Sequence, residues 1–480
     1  MSTIANFDPE RIFKYFEEIC AIPRGSGNMD KIAEYCMDFA RNHSLKAVRD
    51  NANNVIIYKD ATPGYEDAET VILQGHLDMV CQKEEGVDID FETDPIQAYV
   101  DGDYIKAKGT TLGGDNGIAV AMVLALLESD SYEHPAIEAV FTTDEEIGMI
   151  GATKLDFDLL KGKKMINIDS EDQDILTVSC AGGSDFVMTM PLARTKAEGT
   201  FYTLTVKGLT GGHSGVEIDK GRVNANILMA RILNFARKNA HVSLVSVNGG
   251  DKSNAIPVLS KADILVGDQE DFVIKLEEYV NIIKRELQFR EESFELDIVK
   301  ESTGTFDAID AFLGDKIISM LLGSPNGVVE MSSEIDNLVE TSLNLGILKT
   351  EDDLVTAHFA LRSNKTSALV FLEERLEDFA KVLGFDVKTF GHYPPWEFKA
   401  DSKLQKLYKD KYKEVFGKDI SVEAIHAGLE CGVFSDGLKG LDCISVGPEM
   451  HDIHTPRERL GISSAKAVFE VILKVLKECK

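Results

Sequence analysis

The stretch Thr70-Val71-Ile72-Leu73-Gln74-Gly75-His76-Leu77-Asp78 decides the reading of the fold. A short apolar run ends abruptly in a polar cluster, the pattern of a core strand that delivers side chains at its end. The pattern returns where Ala136–Thr142 runs into Thr142-Thr143-Asp144-Glu145-Glu146-Ile147-Gly148, and where Lys164–Ile168 runs into Asp169-Ser170-Glu171-Asp172. A further strand is predicted at Asn54–Tyr58, and the helical segment Ile118–Glu128 lies among these strands. Strands separated by helices predict an α/β layer with a mostly parallel sheet.

Working outward, Ile12, Phe13, Phe16, Ile19 and Cys20 recur at helical spacing, with Asp8 as a cap and Pro9 in the first turn. Beyond residue 186 the style changes. A strand around Tyr202–Val206, a helix at Arg222–Asn239, strands at Val242–Val247 and Lys261–Val266, a helix at Asp271–Leu287 and a strand at Phe294–Val299 give the β-α-β-β-α-β order of a ferredoxin-like unit. A second α+β unit follows: a helix at Phe306–Leu322, a hairpin of Leu338–Leu348 with Leu354–Arg362, a helix at Ser367–Leu383 and a strand at Phe385–Phe390. His392-Tyr393-Pro394-Pro395-Trp396 reads as a linker. Helices at Ser402–Phe416 and Ser463–Lys477 and a strand at Cys443–Val446 return the chain to the first sheet. The expected organisation is a catalytic domain in two parts, 1–186 and 395–480, interrupted by a doubled α+β ferredoxin-like lid at 187–394 that sets substrate specificity.

The 480 residues are 44% hydrophobic and 28% charged, ordinary for a globular chain. Against 51 Lys+Arg stand 81 Asp+Glu, a formal charge of −30, which disfavours nucleic-acid and membrane-surface partners. The beginning of the sequence has no basic and apolar leader pattern, and the longest apolar run, Ile118–Leu127, is too short to span a bilayer. Seven scattered cysteines without a C-x-x-C favour a reducing cytoplasm over a disulfide framework or a thiolate zinc site.

Chemistry gathers in five clusters. His76 and Asp78, at i and i+2 of an extended segment, face the same way, so the carboxylate is able to orient the imidazole. Leu112-Gly113-Gly114-Asp115-Asn116-Gly117 delivers an acid at a helix entrance, which taken alone reads first as a plain N-cap. Glu145 and Glu146 are adjacent acids able to divide metal and proton duties. Asp169 follows a strand, and Met450-His451-Asp452-Ile453-His454-Thr455-Pro456 offers two imidazoles for one role. Jointly these supply an oxygen and nitrogen donor set suited to zinc or manganese.

The strings GHLDMV, GGDNG, TTDEEIG, NIDSED and HTPRE, in this order with a long insertion before the last, resemble the di-zinc exopeptidases related to carboxypeptidase G and aminoacylase. Within them the chain resembles the aminoacyl-histidine dipeptidase branch, also described as cytosolic nonspecific dipeptidases, over essentially its whole length, SNAIP and HAGLECG included. The resemblance implies two divalent ions, zinc by preference with manganese or cobalt accepted. Asp115 would bridge them, His76 and Asp169 completing one site and Glu146 and His454 the other. Asp78 would orient His76, and Glu145 would be the general base toward a water bridging the ions. It also implies a cis peptide between Asp115 and Asn116. His451, three residues early for HTPRE, is set aside.

By the same resemblance His213, in Gly211-Gly212-His213-Ser214-Gly215, would stabilise the oxyanion, although unassisted it reads as a surface-loop histidine. Asn254 and Arg362 would contact the substrate carboxylate, and Glu430 the free α-ammonium. In relatives with a single-unit lid the His213 counterpart acts across a dimer; a doubled lid offers it within one chain, so a homodimer is one of two arrangements. The activity implied is cytoplasmic hydrolysis of unblocked dipeptides, among them Xaa-His and β-alanyl-histidine. An N-acyl-amino-acid amidohydrolase or aminotripeptidase on the same ions is the alternative, and a silent peptide-binding relative a remote one.

Overall fold

A computed structural model of the chain describes residues 4–7, 9–267 and 270–480. Asp8, read above as a cap, lies outside the described residues; the helix it would precede is Glu10–Cys20. The chain divides into two compact units. One holds the residues up to Cys180, Phe398–Ala424 and Leu429–Lys480, and the other Ala181–Glu397 with Ile425–Gly428. Among the described residues no helix is long and apolar enough to cross a membrane.

The first unit is built on an eight-stranded sheet whose four central strands, Ile137–Thr142, Val71–His76, Lys164–Asn167 and Asp442–Ser445, are parallel. Antiparallel strands flank them, Lys46–Arg49 and Val55–Lys59 on one side and Ile175–Cys180 on the other. Val71–His76 and Ile137–Thr142 are buried at every position, as strands covered on both faces must be. Helix Gly114–Glu128 is apolar all round and correspondingly buried. His76, Thr142, Asn167 and Ser445 therefore end parallel strands at one edge, where open α/β sheets carry their sites. Helix Asp30–Asn42 and a four-stranded sheet of Met450–His451, Arg459–Gly461, Tyr104–Ala107 and Ala98–Asp101 were not among the predicted elements. Strands of two to four residues carry too little periodicity to be read.

The second unit holds two β-α-β-β-α-β units in one sheet. The first comprises strand Arg194–Lys207, helix Ala225–Asn239, strands Val242–Gly249 and Ser260–Val266, helix Phe272–Leu287 and strand Glu295–Ile309. The other comprises strand Gly182–Pro191, helix Ala311–Gly323, strands Val339–Thr350 and Leu354–Ser363, helix Thr366–Leu383 and strand Asp386–Tyr393. In each, the strands lie in the order fourth, first, third, second. The second unit is thus doubled, and its first repeat is spliced in after the opening strand of the other. That opening strand is why the second unit begins at Ala181 and not at residue 187.

The two meet along their second strands, where Gly249 opposes Leu348. The Thr350 hydroxyl donates to the Val247 carbonyl (2.8 Å) and the Thr350 N–H to the Asn248 side chain (2.8 Å). Gly250, at φ 75°, lies against this seam; a Cβ there would stand 1.9 Å from the Gly346 carbonyl oxygen. The helix expected from Phe306 begins only at Ala311. Residues up to Ile309 continue a strand paired with Arg194–Lys207, and the Asp310 side chain accepts the N–H groups of Phe312 and Leu313.

Candidate metal centre

His76 is the last residue of its strand and is buried. Its Nδ1 lies 3.1 Å from the Asp78 carbonyl and 3.3 Å from Asp78 Oδ1, as the i, i+2 spacing suggested. Asp78 is itself buried and does more than orient His76. Its Oδ1 accepts the Glu145 N–H (3.0 Å), and its Oδ2 accepts the Glu146 N–H (3.2 Å) and the Ser26 hydroxyl (2.8 Å). One carboxylate thereby fixes the imidazole and the turn carrying both glutamates.

The Asp115–Asn116 peptide is cis. The Asn116 side chain accepts the His76 N–H (3.1 Å) and donates to the Ile168 carbonyl (2.6 Å), tying the ends of two parallel strands. A Cβ at Gly75 would lie 2.4 Å from the Asn116 side-chain oxygen, so this close approach requires glycine.

The two oxygens of Asp115 face different partners. Oδ1 lies 3.1 Å from His76 Nε2, which is 3.5 Å from Asp169 Oδ1. Oδ2 lies 3.2 Å from His454 Nε2, which is 3.1 Å from Glu146 Oε1. Two ligands held ~2.05 Å from one tetrahedral zinc stand ~3.3 Å apart. The spacings fall around that value on both sides of Asp115, and His76, Asp115 and Glu146 each offer a ligand atom within 4.8 Å of the others. The donors thus fit divalent cations.

Electrostatics follow from packing acids around two imidazoles. Burial would push His76 down, but Asp169 and the hydrogen bonds to Asp115, Asp169 and Asp78 outweigh it and hold the imidazole well above its usual value. Hydrogen bonds to Asp115 and Glu146 push His454 up to about 10. Burial resists ionisation of Asp115, yet His454 and His76 hold its carboxyl well below the usual range. Burial raises Glu145 well above that range, with Asp169, Glu430 and Glu146 adding to it against the pull of His76. Burial likewise lifts Asp169, and carries Glu171 up to about 7.

His451 pairs with Glu449 (2.6 Å), apart from these donors. Glu430 departs from the expectation that it receives a substrate ammonium. It is 0% exposed; Oε2 accepts from Thr142 (2.7 Å) and Gln74 (2.5 Å), and Oε1 is buried without a partner. No oxygen is left accessible to a substrate. Gln74 also accepts from Asn167 (2.5 Å), so Glu430 belongs to a buried network joining the ends of three parallel strands.

In the second unit His213 pairs with Ala255 in a two-residue ladder. Its Nδ1 accepts the N–H groups of Gly215 (3.1 Å) and Val216 (3.3 Å), which places the ring proton on Nε2. Burial and the Arg362 charge lower its pKa, so the ring is a neutral donor. Asn254 and Arg362 line a cavity of about 450 Å³ with Asp185, Ser253 and Tyr393. Arg362 Nη1 donates to the Tyr393 hydroxyl (2.7 Å), while its buried Nε has no partner.

Sequence reasoning passed over Arg24 and Glu458. Arg24 is buried and donates to the carbonyls of Leu77 and Asp78 (2.9 Å each) and of Gly113. Glu458 accepts backbone N–H groups of the turn that carries Asp115. Glu458 stood within HTPRE, but nothing local signals a partner 343 residues away.

The profile of Peptidase family M20/M25/M40 matches residues 72–478. The chain is 37% identical over 482 residues to the cytosol non-specific dipeptidase of Escherichia coli (strain K12), covering 100% of this chain and 99% of that protein. The crystal structure of aminoacylhistidine dipeptidase from Vibrio alginolyticus superposes with a TM-score of 0.93 at 37% identity, covering 99% of this chain and 98% of that one. Aminopeptidase PepT from Bacillus cereus, at TM-score 0.57 and 16% identity over 98% of this chain and 99% of its own, shares the fold.

Proposed function

The chain belongs to Peptidase family M20/M25/M40, whose members are metallopeptidases that use divalent ions, and on that premise we propose that it hydrolyses unblocked dipeptides at a two-ion centre. The observation that carries this reading is the division of Asp115, one oxygen beside His76 and the other beside His454. His76, Asp115 and Asp169 would hold one ion, and Asp115, Glu146 and His454 the other. Imidazole and carboxylate donors favour zinc, and they also accept manganese or cobalt. When bound, the ions polarise the scissile carbonyl and acidify the attacking water.

The chain's own residues do the rest. Glu145 takes the proton from the attacking water and returns it to the leaving amine, a role to which its raised pKa is suited. Asp78 keeps His76 and the glutamate turn in place. His213, neutral with Nε2–H outward, donates to the oxygen that gains charge. Arg362, whose Nε lacks a partner, and Asn254 bind the substrate carboxylate, which makes the second unit the one that sets substrate specificity. The names of the two relatives at 37% identity support a cytosolic dipeptidase that accepts aminoacyl-histidine (Xaa-His) dipeptides; β-alanyl-histidine is proposed as one of its substrates.

The test is Glu145→Ala together with a substrate panel. Turnover should fall by ~10²–10⁴ or more with both ions still bound. Free-amine dipeptides should be cleaved far faster than their N-acetylated forms. Undiminished activity in the variant would refute the mechanism, and a preference for acylated substrates would favour an amidohydrolase.

A further inference from the structure

Glu458 is 3% exposed, and its carboxylate is committed wholly to backbone. Oε2 accepts the N–H groups of Leu112 (2.7 Å) and Gly113 (3.1 Å), and Oε1 those of Gly114 (2.8 Å) and Asp115 (3.4 Å). These donors form the turn that leads into the Gly114–Glu128 helix; Asp115 (φ −76°, ψ 104°) and Asn116 are themselves non-helical, so the four N–H groups belong to irregular backbone and need acceptors from elsewhere. Asp115 ends this turn, and its oxygens lie against His76 and His454. On the carbonyl side of the same turn Arg24 binds Gly113, along with Leu77 and Asp78. A Cβ at Gly113 or Gly117 would stand 2.3 or 2.7 Å from the Arg24 guanidinium, so the turn closes tightly on it.

We infer that Glu458 is a positioning residue that, from a distant part of the chain, pins the backbone of the Leu112–Asp115 turn and thereby aims the two Asp115 oxygens at two ions. The inference rests on the two-ion reading above. The direction of the Asp115 carboxylate follows from the backbone of its turn, so a turn free to shift would aim its oxygens at neither site. Glu458 fixes that turn by supplying acceptors for all four N–H groups, with Arg24 as the buried counter-charge. Glu458 lies four residues after His454, so the segment that brings a ligand to one ion also places the ligand shared by both.

The decisive variant is Glu458→Gln, nearly isosteric but with N–H donors in place of one acceptor oxygen. Zinc affinity of the metal-free full chain is measured by competition with a chromophoric chelator, alongside thermal unfolding of the metal-free protein. Affinity at both sites should weaken together by ~10–100-fold, because Asp115 serves both, while unfolding stays cooperative. Glu146→Gln, by contrast, should weaken chiefly one. Wild-type affinity at both sites, or a loss confined to one, would overturn the inference, even if the unfolding temperature fell. Should the Gln variant not fold, Glu458→Asp keeps the charge with a shorter reach; weakening at both sites supports the inference, and wild-type affinities again overturn it. Wild-type protein binding fewer than two zinc ions would count against the two-ion reading, a result distinct from either.

Discussion

Replacing Asp78 by Asn tests how far one buried carboxylate organises the centre. Asp78 accepts from Glu145 N–H, Glu146 N–H and Ser26 and lies 3.3 Å from His76 Nδ1. Asn has one oxygen where Asp has two. The better orientation keeps that oxygen on His76 and Glu145 and turns an NH₂ group toward Glu146 N–H, with Ser26 rotating to accept. One buried donor is then orphaned, costing about 1–3 kcal/mol, and the bond to His76 is no longer assisted by charge. At about 1.4 kcal/mol per tenfold, zinc should bind roughly 10–100-fold more weakly, with kcat falling as the Glu145 turn loosens. Chelator competition and steady-state kinetics on a free-amine dipeptide measure both. Wild-type zinc affinity together with wild-type kcat would refute the argument that Asp78 holds the ligands in place.

Three further outcomes are expected. Glu430→Gln can keep the acceptor toward Gln74 and Thr142, so KM for free-amine dipeptides should stay within about threefold of wild type; a rise of tenfold or more would restore the ammonium role set aside above. His454 in the metal-free chain has its pKa raised from about 6.5 when unfolded to about 10, so its contribution to stability is full below the first value and is lost as pH rises through the second. The metal-free protein should therefore melt at lower temperature as pH goes from 7 to 10, and zinc binding at pH 7 should release protons, detectable by calorimetry in buffers of different ionisation enthalpy. Gly250→Ala, whose Cβ would stand 1.9 Å from the Gly346 oxygen at a φ of 75°, should destabilise the second unit by about 2 kcal/mol or more, read by thermal unfolding.

The sequence made the centre legible where chemistry is local. His76 and Asp78 face one another because extended chain repeats every two residues, and Asp115, Glu145, Glu146 and Asp169 follow strands or open a helix as predicted. Where a side chain answers to backbone far along the chain, no local pattern exists. Glu458 reaches the turn at Leu112–Asp115, Arg24 bridges Leu77 and Gly113, and Glu430 turns inward to Gln74 and Thr142. The doubled second unit was visible as element order, but its splice was not, because Gly182–Pro191 is separated from the rest of its unit by the whole of the other. The helix boundary at Phe306 was misplaced because apolar residues there serve a strand ladder, and only the Asp310 cap marks where the helix begins.

The most direct test of the two-ion dipeptidase is to titrate metal-free protein with zinc while following hydrolysis of β-alanyl-histidine and of an alanyl dipeptide. Activity should be slight at one equivalent, appear as the second site fills and be absent from Glu145→Ala with two ions bound. Full activity at one equivalent, or two bound ions with no hydrolysis of any free-amine dipeptide, would contradict it.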